Sequence, residues 1–125
     1  MAFPGTYNFS YYQGDTLEFR IYPKNADGSA FDLSGYANAT FKLATARGNS
    51  AEALASQVEC SATIYASQGY ILCTIPPTVG SNLDASLQYV YDVQIRKSAT
   101  PYDYIYTLMT GTVSVTDDVV QGTGA

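Results

Sequence analysis

Histidine and tryptophan are both absent from this sequence. Without histidine no imidazole can activate a serine or cysteine nucleophile, and the commonest metal ligand is missing. Cysteine is almost absent as well, and Cys60 and Cys73 alone cannot complete a four-ligand zinc site. Charge is scarce: Asp, Glu, Lys and Arg make up 14% of residues, and six basic residues against eleven acidic ones leave a net charge of −5. The basic residues scatter between Arg20 and Lys97 without forming a run, so no phosphate-neutralising patch exists and nucleic acid is not an expected partner. Neither a P-loop nor a Gly-x-Gly-x-x-Gly sequence occurs. No apolar stretch approaches the roughly 20 residues of a membrane span, so no membrane partner is expected. The opening Met-Ala-Phe-Pro-Gly-Thr-Tyr has neither the basic nor the apolar region of a secretory signal, and synthesis in a cytoplasm is expected.

The acidic residues offer little more chemistry. Asp15, Asp27 and Asp32 stand beside turn residues, where a carboxylate caps backbone donors. Asp92 lies mid-strand on an outward face, where Arg20 or Lys42 is the expected partner. Asp117-Asp118 follows the last strand and reads as a solvated strand end rather than a calcium site. No catalytic residue, metal site or cofactor is therefore expected, and the chain does not read as an enzyme.

What is present is apolar alternation with a period of two, broken by turns roughly every 8–12 residues. Tyr7 to Tyr12 reads as a first edge strand. Leu17, Phe19 and Ile21 then share one face, followed by Ala39, Phe41 and Leu43, and by Val58, Cys60, Ala62 and Ile64. A turn over Ala66-Ser67-Gln68-Gly69 leads to Ile71, Cys73 and Ile75, which places the two cysteines diagonally on one face as buried thiols rather than a bridge. Tyr89, Tyr91, Val93 and Ile95 mark the clearest strand. The last strand, Tyr104 to Thr116, changes parity near Gly111, which predicts a bulge there. Residues 44–57 read as a loop with at most one helical turn, and form a second candidate binding segment. Thr78 to Ala85 predicts a short helical turn over Leu83. The length of 125 residues suits one domain, residues 1–125, with an N-terminal arm over about 1–12 and a flexible tail over about 119–125. The expected fold is all-β, an immunoglobulin-like β-sandwich of about seven antiparallel strands.

Aromatic residues carry the functional signal. There are twelve tyrosines and five phenylalanines, concentrated towards the two ends of the chain. Tyrosine combines a large apolar ring with a polar tip and suits protein interfaces. Phe3, Tyr7, Phe9, Tyr11, Tyr12, Tyr102, Tyr104 and Tyr106 are the candidate protein interface. The alternative reading of the same residues is sugar stacking, with a host glycan as ligand.

The order of motifs adds a resemblance. Gln13-Gly14-Asp15 is followed by Ala26-Asp27-Gly28, then Asp32-Leu33-Ser34-Gly35-Tyr36, and finally Gly111-Thr112-Val113-Ser114-Val115. This order resembles the immunoglobulin-like domain of bacteriophage virion proteins, including the N-terminal domain of baseplate upper proteins. The resemblance runs over nearly the whole chain. It implies a structural, non-enzymatic component of a virion, in tail, baseplate, neck or fibre attachment. Its partners would be other virion proteins and copies of itself. Unlike baseplate upper proteins, this sequence has no receptor-binding region after the terminal strand, which turns the expectation towards a small adaptor or capsid decoration protein. A carbohydrate- or receptor-binding module on the virion surface is the alternative from another class.

Overall fold

Wherever apolar and polar residues alternate, the backbone is extended and one row of side chains is withdrawn from water. The computed structural model describes residues 5–48 and 50–116. Its strands are β1 (Gly5–Thr6), β2 (Phe9–Tyr12), β3 (Leu17–Ile21), β4 (Asn38–Ala44), β5 (Val58–Tyr65), β6 (Tyr70–Ile75), β7 (Gln88–Lys97) and β8 (Tyr104–Thr116). Two short helices, α1 (Ala51–Ala55) and α2 (Pro77–Gly80), interrupt them. Strand accounts for 51% of the described residues and helix for 8%, so the all-β class follows directly.

The strands form one curled, mixed sheet in the order β1-β8-β7-β4-β5-β6-β3, with β2 also on β8. This differs from the expected seven antiparallel strands in two ways. There are eight strands, and β1 and β2 run parallel to β8. A parallel N-terminal segment leaves no local signature, because its partner lies at the other end of the sequence. The curl is built into β5. Its first residues, Val58 to Cys60, pair with β4, whereas Ser61 to Tyr65 pair with β6.

Curling brings the two ends of the sheet together over the core. Phe9 on β2 and Phe19 on β3 meet with ring centroids 5.7 Å apart, and both rings touch Tyr91. Phe41 packs edge-on against Phe19 at 5.5 Å and against Tyr91 at 5.6 Å. The expected inward rows of β4, β6 and β7 are the core: Phe41, Leu43, Ile71, Cys73, Ile75, Val93 and Ile95 are fully buried. Burying side chains of this size contributes about 1.5–3 kcal/mol each before entropy is counted. Cys60 and Cys73 are both free and buried, and Cys73 stands opposite Ala62, so the thiols are diagonal as expected.

Three turns share one sequence device. Asp27, Asp32 and Asp84 each accept from the backbone N–H two residues on, at 2.9 Å, and also from the hydroxyl of that same serine. This Asp-x-Ser pattern satisfies turn donors locally.

Two other expectations are corrected. The parity change of β8 sits at Leu108, not at Gly111: Val93 faces Met109 while Gln94 faces Thr107, so Leu108 is the extra residue. The segment after β4 is more ordered in conformation than a plain loop. The Ser50 hydroxyl caps α1 by accepting from Ala53 N, and Ala53 is buried. The short turn over Leu83 is present as α2, with Leu83 1% exposed. Phe3, Asn49, Asp117-Asp118 and the tail over about 119–125 lie outside the described residues.

Candidate functional site

The seven described candidate interface residues separate into three environments. Tyr11 belongs to the core. It is 2% exposed, its hydroxyl donates to Asp15 O at 2.6 Å, and its ring lies so close to α2 that a Cβ on Gly80 would come within 1.6 Å of the hydroxyl oxygen. Phe9 is half-buried in the central aromatic cluster. Neither ring is available to a neighbour in this fold. The described part of the N-terminal arm is likewise stitched into the domain: Gln13 Nε2 donates to Leu83 O at 2.6 Å, and Asn8 Oδ1 accepts from Thr112 N at 2.9 Å. Tyr7 and Tyr12 are exposed along β8, Tyr12 at the Thr116 end.

Tyr102, Tyr104 and Tyr106 are at the opposite end of β8. With about 3.3 Å per residue, Tyr12 and Tyr104 are separated by roughly 40 Å along the strand, so those two tyrosines do not share one surface. Here the aromatics make a continuous end-patch. Phe31, Tyr36 and Tyr106 form a triad with centroid separations of 5.6, 6.0 and 6.2 Å. Beyond it Tyr102 and Tyr104 meet edge-on at 6.0 Å. Tyr102 is 67% exposed and Tyr104 41%, whereas Ile105 points to the opposite face of β8 beside Arg96. The loop that presents them is fixed by Asp103, which accepts from Arg96 Nε at 3.1 Å and from Ala99 N at 3.3 Å. Lys97 lies over the Tyr36 ring at 5.5 Å. Burial, followed by the neighbouring Tyr106 and Tyr104 hydroxyls and Asp32, raises the Tyr36 pKa. Large apolar rings on a braced loop are what a protein surface needs to anchor a partner without losing much side-chain freedom.

A second aromatic row was not foreseen. Tyr22, Tyr70 and Tyr65 lie across the outer face of β3, β6 and β5, with centroids 5.5 and 5.0 Å apart. The Arg20 guanidinium sits 4.7 Å from the Tyr70 ring centroid. Part of this was readable: the turn over Ala66 to Gly69 sets Tyr65 opposite Tyr70. The placement of Tyr22 beside them required the β3–β6 pairing, which joins distant segments.

The outer face of β4 and β7 carries a shallow polar groove of about 390 Å³, lined by Thr40, Lys42, Arg47, Gln57, Asp92 and Gln94 among others. Asp92 faces outward as expected, but its partner is Arg47, with Nη1 2.7 Å from the carboxylate, rather than Arg20 or Lys42. Arg47 also donates to Tyr91 O and to the Thr110 hydroxyl, which folds the start of the 44–57 segment back onto the sheet. That segment therefore forms a wall of the groove. Among the described residues no three His, Cys, Asp or Glu side chains gather as a metal site.

The two thiols do not provide a nucleophile at neutral pH: burial pushes the pKa of both Cys60 and Cys73 up to about 12. No family model matches the chain, and no curated protein matches it.

Proposed function

We propose that this chain is an immunoglobulin-like building block of a bacteriophage particle, made in the host cytoplasm, that joins neighbouring virion proteins through its aromatic end. The observation that carries the binding part is the exposed pair Tyr102 and Tyr104 at the braced turn into β8. The immunoglobulin-like reading is supported by the pairings β3–β6, β4–β7 and β7–β8, by β2 running parallel along β8, and by β5 passing from one half of the sheet to the other.

The particle reading rests on the motif order, and each described motif has a structural task. Gln13 ties the first turn to the segment after α2, and Asp27 and Asp32 hold Asp-x-Ser turns. Gly111 sits where β8 receives the N-terminal segment. Such motifs serve a scaffold rather than a reaction centre. Tail, baseplate, neck, fibre attachment and capsid decoration are the positions such a scaffold would occupy.

The test is incorporation of a Tyr102→Ser, Tyr104→Ser variant into particles, quantified by mass spectrometry of purified virions. These side chains are exposed, so the fold is retained. The reading predicts loss of the chain from particles; incorporation equal to wild type would overturn it.

A second reading has its own observation. The Tyr22, Tyr70 and Tyr65 row with Arg20 offers ring surface and hydrogen-bond donors to a sugar, which supports a glycan-binding module on the virion surface. Glycan-array binding lost on Tyr70→Ala would favour it over the first.

A further inference from the structure

β3 is the last strand of the sheet, and it is paired on one side only. Its neighbour is β6, and among the described residues no backbone group bonds to its other side. The strand is short and its outward residues are charged, which limits indiscriminate pairing, but it contains no proline and no bulge interrupts its pairing with β6. Its inward row is also incompletely covered. Ile21 is buried, whereas Leu17 and Phe19 remain half-buried at the margin of the core. Edges of this type are where an added strand gains both backbone hydrogen bonds and apolar cover.

The outward row of β3 specifies which strand fits. It consists of Glu18 and Arg20, both exposed. When the strand pairs antiparallel with a copy of itself, cross-strand partners share a face, so only registers that keep Leu17, Phe19 and Ile21 inward are allowed. Of the five such registers centred on a strand residue, the three centred on Glu18, Phe19 and Arg20 pair at least three residues of the strand. Centring on Glu18 places that carboxylate against its own copy, and centring on Arg20 opposes two guanidinium groups. Centring on Phe19 sets Glu18 opposite Arg20 twice, once on each side of the two-fold axis. The same register sets Leu17 opposite Ile21 and Phe19 opposite Phe19. Charge and apolar match therefore coincide in one register.

We propose that the free edge of β3 is a homodimerisation edge, on which two copies of this chain pair antiparallel about Phe19 and join their sheets into one. The pairing is isologous and closes on itself, so it yields a dimer rather than a filament. It uses none of the residues of the aromatic end and stands independently of the docking reading.

Charge-reversal exchange tests this directly, with association followed by sedimentation velocity over a range of concentrations. Wild type is expected to self-associate. Glu18→Arg alone and Arg20→Glu alone each turn two attractive pairs into two repulsive ones, and each is expected to weaken self-association by about tenfold or more. Mixed together, the two single variants regain opposite charges at both pairs and are expected to form a heterodimer. Circular dichroism of each variant confirms that the fold is retained. The Tyr102→Ser, Tyr104→Ser variant is expected to dimerise like wild type, which separates this proposal from the docking reading. A monomeric wild type, undiminished association of either single variant, or a mixture that stays monomeric would each overturn the Phe19-centred dimer.

Discussion

The Tyr91 hydroxyl donates to the carbonyl of Tyr7 at 2.6 Å, linking the middle of β7 to the segment between β1 and β2. That carbonyl leans over Gly111, where a Cβ would lie 2.1 Å from the oxygen. The glycine is therefore needed for close backbone approach, and the buried phenol supplies the partner that the inward-turned carbonyl would otherwise lack. Gly111→Ala is predicted to destabilise by about 1–3 kcal/mol or more, because backbone rather than a movable side chain occupies the space. Tyr91→Phe keeps the ring and loses the bond, with a predicted cost of about 1–3 kcal/mol for the orphaned carbonyl. Urea unfolding of the two variants measures both.

Tyr11 and Tyr102 contrast a core tyrosine with an exposed one. The Tyr11 ring fills space above Gly80, and its hydroxyl closes the turn at Asp15. Tyr11→Ala is predicted to cost about 3–5 kcal/mol, the range for removing a buried large aromatic. Tyr102→Ala is predicted to stay within about 0.5 kcal/mol of wild type, as an exposed substitution does. Equal losses at the two positions would contradict the assignment of Tyr102 to a free surface.

Much of this was legible in the sequence because sheet periodicity is local. Phe41 and Leu43, Ile71 and Cys73, and Val93 and Ile95 each sit on the face that alternation gives them. The turn signals at Asp27, Asp32 and Gly69 were equally readable. What was not legible depends on pairing between distant segments. Tyr11 alternates like an exposed arm residue, and only the parallel contact of β2 with β8 carries it into the core. Gly111 drew attention as a parity marker, yet its role is set by the carbonyl of Tyr7, and the bulge falls at Leu108. The same reason hid the neighbourhood of Tyr22 and the partner of Asp92. A sequence reading could find the aromatic end through Tyr102, Tyr104 and Tyr106, but not its separation from Tyr12.

Alkaline pH should unfold the protein through groups held neutral by burial. Cys60 and Cys73 are raised from 9.0 to about 12, and Tyr11 from 10.0 to about 12, each mainly by desolvation. The unfolded chain loses these protons first, so stability is complete below about pH 9 and declines as pH rises towards 12. Chemical denaturation at stepped pH checks the window. Thiol labelling at pH 8 should be slow in the native protein and complete only in denaturant.

Acid acts on the turns. Serine hydrogen bonds hold the Asp27 and Asp84 carboxyls below their ordinary 3.8, and the Ser34 backbone N–H does the same for Asp32. The unfolded chain takes up protons first here, so this contribution is complete above about pH 4 and is lost as pH falls through the lowered values. Replacing the three aspartates with asparagine, which cannot ionise, should flatten the acid limb of the stability profile. An unchanged acid limb would mean that other carboxylates control it.

The central claim is that this sheet is an assembly unit whose aromatic end meets a neighbour. A cryo-electron microscopy map of the assembled particle, at a resolution that traces strands, tests it most directly. The account predicts density for this fold with Tyr102 and Tyr104 buried against an adjacent virion protein. Particles that lack the chain, or a map in which those two side chains face open solvent, would contradict it.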